Sequence, residues 1–154
     1  MPIPALNSHG LLPKGIHDCT MPEIASLFSS ADSRHKRARL FKNLEAFIAW
    51  IRPVKCFKCI YVDGSFVTTK EIPGDIDLVL ELPPPDPALA TRLQKMKLFD
   101  QAYVHKTFEL HVFLYVAGFP GNDLRAFFQY LRPEEARMRG LQAGETKGIL
   151  RVAL

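Results

Sequence analysis

The run from Asp75 to Leu82, DIDLVLEL, restricts the fold more than any other part of the chain. Side chains on a strand alternate between two faces, so this run predicts a β-strand with one uniformly apolar face. The apolar face consists of Ile76, Leu78, Leu80 and Leu82. The other face begins with two carboxylates, Asp75 and Asp77, and this is unusual at the start of a strand that has to be buried.

The spacing of Asp75 and Asp77 predicts a cation site. Alternate residues of a strand lie about 7 Å apart on the same face, and like charges that close raise each other's pKa unless a cation compensates. Hard oxygen ligands favour Mg²⁺ or Mn²⁺, and Mg²⁺ is usually held by one or two protein carboxylates together with substrate phosphates. The alternative is a strand end whose acids simply face solvent.

A glycine–serine pair favours the cation interpretation. Gly64 and Ser65 follow a predicted strand, Cys59 to Asp63. Glycine lets the backbone approach a phosphate, successive N–H groups can bind phosphate oxygens, and the serine hydroxyl adds a donor. Thr68 and Lys70, in the loop that follows, are further candidates for phosphate contacts, although Lys70 could equally be a solvated charge.

The remaining patterns predict one α+β domain. The chain has 154 residues, of which 47% are hydrophobic and 23% charged, as in ordinary globular proteins. An apolar stripe at helical spacing predicts a helix from Arg34 to Ile51, with Ser33 as its cap and Pro53 ending it. The stripe consists of Leu40, Phe41, Leu44, Phe47, Ile48 and Ile51. The expected architecture is a small mixed sheet with helices on one side.

Further elements are predicted along the rest of the chain. They are a helix that begins with the capping box Thr20-Met-Pro-Glu23 and ends near Phe28, a helix over 88–102, a strand over 107–116, a helix over 123–131 capped by Asn122, and a helical turn over 134–139. Residues 1–20 are rich in Pro and Gly and predict an extended N-terminal arm, ahead of a domain over 21–140. Residues 141–154 are expected to form a C-terminal arm or a late strand.

Composition also indicates a location and a class of ligand. No apolar run approaches the ~20 residues of a membrane helix, the N-terminus lacks the pattern of a secretion signal, and three cysteines fit a reducing cytoplasm. Between residues 34 and 58 there are eight basic residues and one acid. This segment is either a solvated helix surface or an attractive field for a polyanion such as a nucleoside triphosphate or RNA.

The two motifs together resemble those of a known superfamily. Gly64-Ser65, nine residues, and then Asp75-Ile76-Asp77 followed by apolar residues is similar to the nucleotidyltransferase superfamily of the polymerase-beta type, and more narrowly to small minimal nucleotidyltransferases of bacteria. The resemblance implies a nucleotidyltransferase-like fold, Asp75 and Asp77 as ligands of two Mg²⁺ (or Mn²⁺) ions, and Gly64 and Ser65 as contacts of the β- and γ-phosphates.

That resemblance leaves one ligand undecided. The superfamily has a third catalytic carboxylate on a neighbouring strand, and here alternation places both Glu109 and His111 on the polar face of the predicted strand 107–116. Glu109 has the right chemistry, whereas His111 lies deeper in the apolar run and imidazole is a poor ligand of Mg²⁺. Nothing in the sequence decides whether His105 faces the same site.

The resemblance implies a metal-dependent enzyme that moves a nucleoside monophosphate from a triphosphate to a hydroxyl of a protein or RNA acceptor. Small proteins of this kind often belong to toxin–antitoxin or defence pairs, so a cognate partner protein is expected as well. The alternative is a catalytically degenerate relative that binds a nucleotide, RNA or a partner without transferring anything. No membrane partner is expected.

Overall fold

The computed structural model describes residues 2–30, 35–84, 86–119, 121 and 123–154. They form a mixed five-stranded sheet with six α-helices. In chain order the elements are β1 (Gly15–Cys19), α1 (Met21–Phe28), α2 (Lys36–Ile51), β2 (Cys59–Asp63), β3 (Ile76–Leu82), α3 (Pro87–Lys95), α4 (Gln101–Phe108), β4 (Leu110–Val116), α5 (Leu124–Gln129), α6 (Pro133–Met138) and β5 (Gly148–Ala153). The predicted caps Ser33 and Asn122, and the predicted helix start at Arg34, lie outside the described residues.

The strands are arranged in the order β1-β5-β2-β3-β4. The two outer pairs, β1 with β5 and β3 with β4, are parallel, whereas β5 with β2 and β2 with β3 are antiparallel. Because β2 and β3 are central and paired on both sides, their polar residues are held at fixed positions between neighbouring strands. The α+β prediction is therefore confirmed at the level of a mixed sheet combined with helices.

The central helix α2 forms as its apolar stripe predicts. All six stripe residues are buried, and Leu40, Leu44 and Phe47 have no exposed surface. Burial of a large apolar side chain contributes about 1.5–3 kcal/mol, so this one helix contributes much of the free energy that holds the main core together. The helix ends at Ile51, and a 3₁₀ turn containing Pro53 follows it. The capping box of α1 is also present, with Thr20 and Glu23 bonded to each other's backbone N–H groups.

Helices cover both faces of the sheet, and the expectation of helices on one side is wrong. Helices α1 to α4 pack on the face that carries Ile60, Leu78 and Leu150. On the opposite face, Phe128 of α5 belongs to a second cluster with residues of the central strands, among them Tyr61. This second face carries the carboxylates at one end and apolar side chains such as Val79 and Ile149 beyond them, and the apolar part requires a cover.

The predicted helix over 88–102 is two helices. Lys97 has a left-handed backbone conformation (φ 63°), which ends the helical path after α3. The Asp100 side chain then accepts the N–H of Tyr103 and begins α4. Residues 101–108 are therefore helical, and β4 starts at Leu110 instead of residue 107. The start of α4 could have been predicted from Asp100, because aspartate is a preferred N-cap residue.

The ends of the chain join the sheet. Residues 15–19 form the edge strand β1, which pairs with β5, so this part of the expected N-terminal arm is a strand. Leu11 and Leu12, just before it, are buried. For the C-terminal segment, residues 148–153 take the late-strand alternative. The sequence of β1, GIHDC, has little strand character of its own, and its conformation depends on pairing with a strand more than a hundred residues away.

Candidate functional site

Polar side chains of three neighbouring strands lie side by side across the sheet. In register, Asp63 at the end of β2 is opposite Asp77 of β3, and Asp77 is paired with His111 of β4. Asp75 lies just before β3, two residues from Asp77, and therefore on the same side of the sheet. The local alternation and the strand pairing together bring the two predicted carboxylates next to His111.

Two histidines contact the carboxylates directly. His111 Nδ1 lies 3.2 Å from Asp75 Oδ2 and 3.5 Å from Asp77 Oδ1. His105, in the last turn of α4, places its Nε2 atom 3.7 Å from Asp75 Oδ2. The two imidazole rings stack with their centroids 4.5 Å apart. His105 thus faces the Asp75 carboxylate, a position that the sequence left undecided.

Asp77 occupies a site that disfavours its own negative charge. Burial raises the pKa of the Asp77 carboxyl above its usual value, and repulsion from Asp75 raises it further, while His111 and Arg132 act in the opposite direction. A cation at this position would relieve both effects. The donor set, two carboxylates whose side chains remain 28% and 23% exposed, therefore fits a divalent ion.

Gly64 allows the turn to approach Asp77 closely. Its backbone is left-handed (φ 85°), and a Cβ added to it would lie 2.6 Å from Asp77 Oδ2. No other residue type leaves this space beside the carboxylate, so the glycine is required by geometry as well as by backbone conformation. The 3₁₀ turn Ser65–Val67 follows directly. The turn predicted to bind phosphate is therefore adjacent to the carboxylate predicted to bind a metal.

A cleft of about 270 Å³ connects these groups. Five predicted residues line it: Gly64, Ser65, Lys70, Asp75 and Asp77. We call it the Asp75–Asp77 cleft. Both carboxylates, the turn and one lysine of the loop are thus within one concave surface, where a single ligand can contact all of them.

A buried ion pair supports the turn from beneath. The Lys147 ammonium contacts the Asp63 carboxylate, and both side chains are less than 10% exposed. Burial raises the pKa of Asp63, whereas Lys147 and a hydrogen bond from the backbone N–H of Gly64 lower it. Asp63 thus accepts the N–H of the glycine that begins the turn and helps to hold the turn in place.

The Thr68 side chain forms hydrogen bonds within its own loop. It is 3% exposed, and its hydroxyl donates to the Ser65 carbonyl (2.7 Å) and accepts the Lys70 N–H (3.1 Å). The hydroxyl is engaged within the loop and Thr68 is not among the residues that line the cleft, so the structure does not bring it to the place that its predicted phosphate contact requires. Lys70, five residues after the 3₁₀ turn begins, does line the cleft.

Glu109 is directed to helix α2 and away from the two aspartates. It is the left-handed residue between α4 and β4 (φ 55°). Its carboxylate lies 2.6 Å from Lys36 Nζ, 2.9 Å from Arg39 Nε and 3.3 Å from Asn43 Nδ2. The hydrogen bond from Lys36, aided by Arg39, lowers the pKa of Glu109. Of the two candidates for the third position, His111 is the one in contact with Asp75 and Asp77.

A protein family matches nearly the whole chain. The matching family, DUF6932, is described as a family of unknown function, and the match covers residues 4–153. The chain belongs to the DUF6932 family. No curated protein and no solved structure matches the chain significantly. Among the residues that the structure describes, no helix is both long enough and apolar enough to cross a membrane.

Some cleft residues of this DUF6932 chain were not predicted from sequence. Phe127, Tyr130 and Arg132 come from α5 and the segment before α6, and Lys147 precedes β5. Phe127 is 62% exposed and Tyr130 46% exposed, unusual values for aromatic side chains beside a cleft. No spacing rule links these residues to the aspartates, because tertiary packing alone brings them together.

We expect Gly64→Ala to destabilise the protein by about 1–3 kcal/mol and to displace Asp77. The backbone of the alanine would have to stay in a left-handed conformation, and its methyl group would clash with the Asp77 carboxylate. Urea unfolding measures the first effect, and loss of metal-dependent thermal stabilisation measures the second. Gly74→Ala is a matched control, since a Cβ there meets nothing within 4 Å. Equal behaviour of the two variants would contradict the argument.

Proposed function

We propose that this protein is a metal-dependent nucleotidyltransferase, which moves a nucleoside monophosphate from a nucleoside triphosphate to a hydroxyl group of a protein or RNA acceptor. The observation that carries the proposal is the joint position of Asp75, Asp77 and the Gly64–Ser65 turn in one cleft. These are the residues of the motif that resembles the polymerase-beta type of nucleotidyltransferase. A nucleotidyltransferase-like fold is part of the same proposal.

The residues divide between two tasks. Asp75 and Asp77 would hold Mg²⁺ or Mn²⁺, which when bound neutralises triphosphate charge and lowers the pKa of the acceptor hydroxyl. Backbone N–H groups of the turn and the Ser65 hydroxyl bind oxygens of the β- and γ-phosphates. Lys70 and Arg132, which line the same cleft, offset the charge that develops on the leaving group.

The transfer is a substitution at the α-phosphate. A bond forms between the acceptor oxygen and the α-phosphorus, and the bond from that phosphorus to the oxygen bridging to the β-phosphate breaks. Pyrophosphate leaves with the bond's electron pair, and the acceptor hydroxyl releases its proton to solvent water. The protein's contribution is to position the triphosphate and to stabilise its charge.

The acceptor is proposed from the resemblance, and the positions of the basic residues bear on the RNA alternative. A cytoplasmic protein or RNA hydroxyl fits a chain that resembles small members of toxin–antitoxin or defence pairs, and a cognate partner protein is part of this proposal. The basic segment 34–58 is less available for RNA than its composition indicates. Arg37 is buried, while Lys36 and Arg39 bind Glu109.

A second candidate function is nucleotide binding without transfer. It is favoured by one observation: the strand position beside Asp77 is occupied by His111, and Glu109 is bound to α2. Without a third carboxylate, a catalytic ion has fewer oxygen ligands than the superfamily's mechanism implies. The cleft would then hold a triphosphate as a ligand.

Labelled nucleotides separate these functions. The full chain is incubated with each NTP labelled at the α- or the γ-phosphate, with Mg²⁺ or Mn²⁺, and with total RNA and protein as acceptors. We expect α-label, but not γ-label, to become covalently attached. Nucleotide-dependent thermal stabilisation without any transfer would favour the second candidate, and neither response with any NTP would contradict both.

A further inference from the structure

We infer that Asp75, His105 and His111 form a binding site for a divalent transition-metal ion, which the protein binds in the absence of nucleotide and in preference to Mg²⁺. The three side chains come from the start of β3, from α4 and from β4. One ligand atom of each lies within 4.8 Å of the corresponding atoms of the other two. The inference concerns the identity of the ion, and it stands whether or not the cleft transfers nucleotides.

The distances between the donor atoms agree with coordination of one ion. Metal–ligand bonds of about 2.0–2.1 Å place neighbouring ligand atoms about 3.0–3.4 Å apart in octahedral or tetrahedral geometry. His111 Nδ1 and Asp75 Oδ2 are already 3.2 Å apart. His105 Nε2 is 3.7 Å from the same oxygen, and the two histidines offer ring nitrogens within 4.8 Å of each other. Because the two rings stack, a rotation of the exposed His105 side chain is needed to complete the set. Asp77 Oδ1, 3.5 Å from His111 Nδ1, is available as a fourth ligand.

The chemistry of the donors selects the class of metal. Two imidazole nitrogens with one or two carboxylates suit Mn²⁺, Co²⁺ and Zn²⁺, whereas Mg²⁺ requires oxygen ligands. The histidines therefore change the metal that Asp75 can hold. A site of carboxylates alone would discriminate little among these ions by donor type, but a site with two histidines discriminates strongly.

Within the described part of the chain, the ring nitrogens of both histidines contact only the two aspartates. His105 is in the last turn of α4, a helix fixed by Val104 and Phe108, which are buried in the main core. His111 is in β4, which is paired with β3 along its whole length. Their side chains are 46% and 48% exposed, so an ion can reach them and water can complete its coordination.

Cobalt provides a direct test, because its visible spectrum reports ligand type. The full chain, without any histidine tag and without nucleotide, is titrated with Co²⁺ and followed by absorbance and calorimetry. We expect one ion per chain, a d–d spectrum typical of nitrogen and oxygen ligands, and little displacement by a hundredfold excess of Mg²⁺. His105→Gln and His111→Ala should each weaken Co²⁺ binding by about tenfold or more.

The control is His17→Gln, which removes a histidine of β1 at the opposite edge of the sheet, bonded to the Pro13 carbonyl. It should bind Co²⁺ as the unmodified chain does. His105→Gln is the decisive variant if His111→Ala fails to fold, because His105 is exposed on α4. Unchanged Co²⁺ affinity in folded His105→Gln, a sulfur-to-cobalt charge-transfer band, or easy displacement by Mg²⁺ would overturn the inference.

The outcomes distinguish this inference from the proposed function. Co²⁺ binding that depends on the histidines, without label transfer from any NTP, would support the metal site and contradict the transferase. Label transfer, together with Co²⁺ binding that is unchanged in folded His105→Gln and His111→Ala, would support the transferase and contradict the metal site.

Discussion

Asp77→Asn should lower the rate of label transfer by at least about a hundredfold. The same substitution should make the nucleotide-free protein more stable. The expected loss follows from removing a charged ligand from a site that works by charge stabilisation. The expected gain follows from the environment of the carboxylate, whose burial and proximity to Asp75 raise its pKa. Replacing this carboxylate by a neutral amide removes the unfavourable charge from the folded state, so the free energy of unfolding increases.

The gain in stability should depend on pH in a defined direction. A carboxyl group whose pKa is higher in the folded state than in the unfolded state binds protons more tightly when folded. Stability is then lost as the pH rises from the pKa of the carboxyl in the unfolded state, about 3.9, through its higher pKa in the folded state. The loss persists at neutral pH. Asp77→Asn should therefore exceed the unmodified chain in melting temperature at pH 7, by roughly 2–4 °C, and the difference should shrink toward pH 4.

Glu81→Gln is the matched control for this experiment. Glu81 lies on the same face of β3 four residues later, outside the cleft, and its carboxylate accepts the Tyr61 hydroxyl at 2.9 Å. The glutamine keeps an acceptor there, so transfer should be unchanged. Transfer by Asp77→Asn at the normal rate, or lower stability of that variant at pH 7 without metal, would show that Asp77 is a structural residue.

The sequence was a good guide wherever a short period or a local motif determines the structure. The strands around Asp63 and Asp77, the stripe of α2 and the capping box of α1 all depend on residues within a few positions of one another. The close approach of the Gly64 turn to Asp77 also follows from adjacent strands joined by a short connection. These local features include Asp75 and Asp77, the two carboxylates that were predicted to bind a metal.

Long-range packing decided most of the features that were not predicted, whereas the start of α4 depends on a local cap, Asp100. Glu109 was expected on a strand. Instead, α4 begins after the Asp100 cap and continues to Phe108, and Lys36, from another part of the chain, binds the glutamate. Lys147 meets Asp63 only because β5 is inserted between β1 and β2. Periodicity carries no information on such contacts, since the partners lie more than seventy residues apart.

Arg37 stabilises the loop that carries the turn, although it was counted among the basic surface residues. Its side chain is buried, and its guanidinium donates hydrogen bonds to four backbone carbonyls. Three of these, those of Phe66, Thr68 and Lys70, belong to the loop after Gly64, and the fourth is that of Phe28 at the end of α1. A single planar group thus joins α1, α2 and the loop of the cleft.

Arg37→Met should lower the free energy of unfolding by about 4–6 kcal/mol, the largest stability loss we expect from one substitution. Methionine fills much of the volume but leaves four carbonyls without this donor, three of them buried and that of Lys70 partly buried. Each buried loss costs about 1–3 kcal/mol before relaxation and water reduce the sum. Arg37→Lys keeps the charge but not the fork of donors, so we expect an intermediate loss of about 2–3 kcal/mol. Urea unfolding measures both.

The lysine variant also tests whether the loop and the cleft are coupled. Lys42→Met, an exposed position of the same helix, should change stability by no more than about 0.5 kcal/mol and leave nucleotide-dependent stabilisation intact. Arg37→Lys, measured at a temperature where it is fully folded, should lose most of that stabilisation, because Ser65 and Lys70 are held in place through the carbonyls that Arg37 binds. If Arg37→Met costs less than about 1 kcal/mol, or if folded Arg37→Lys responds to nucleotide as the unmodified chain does, the loop is held by other contacts and the guanidinium is incidental to the cleft.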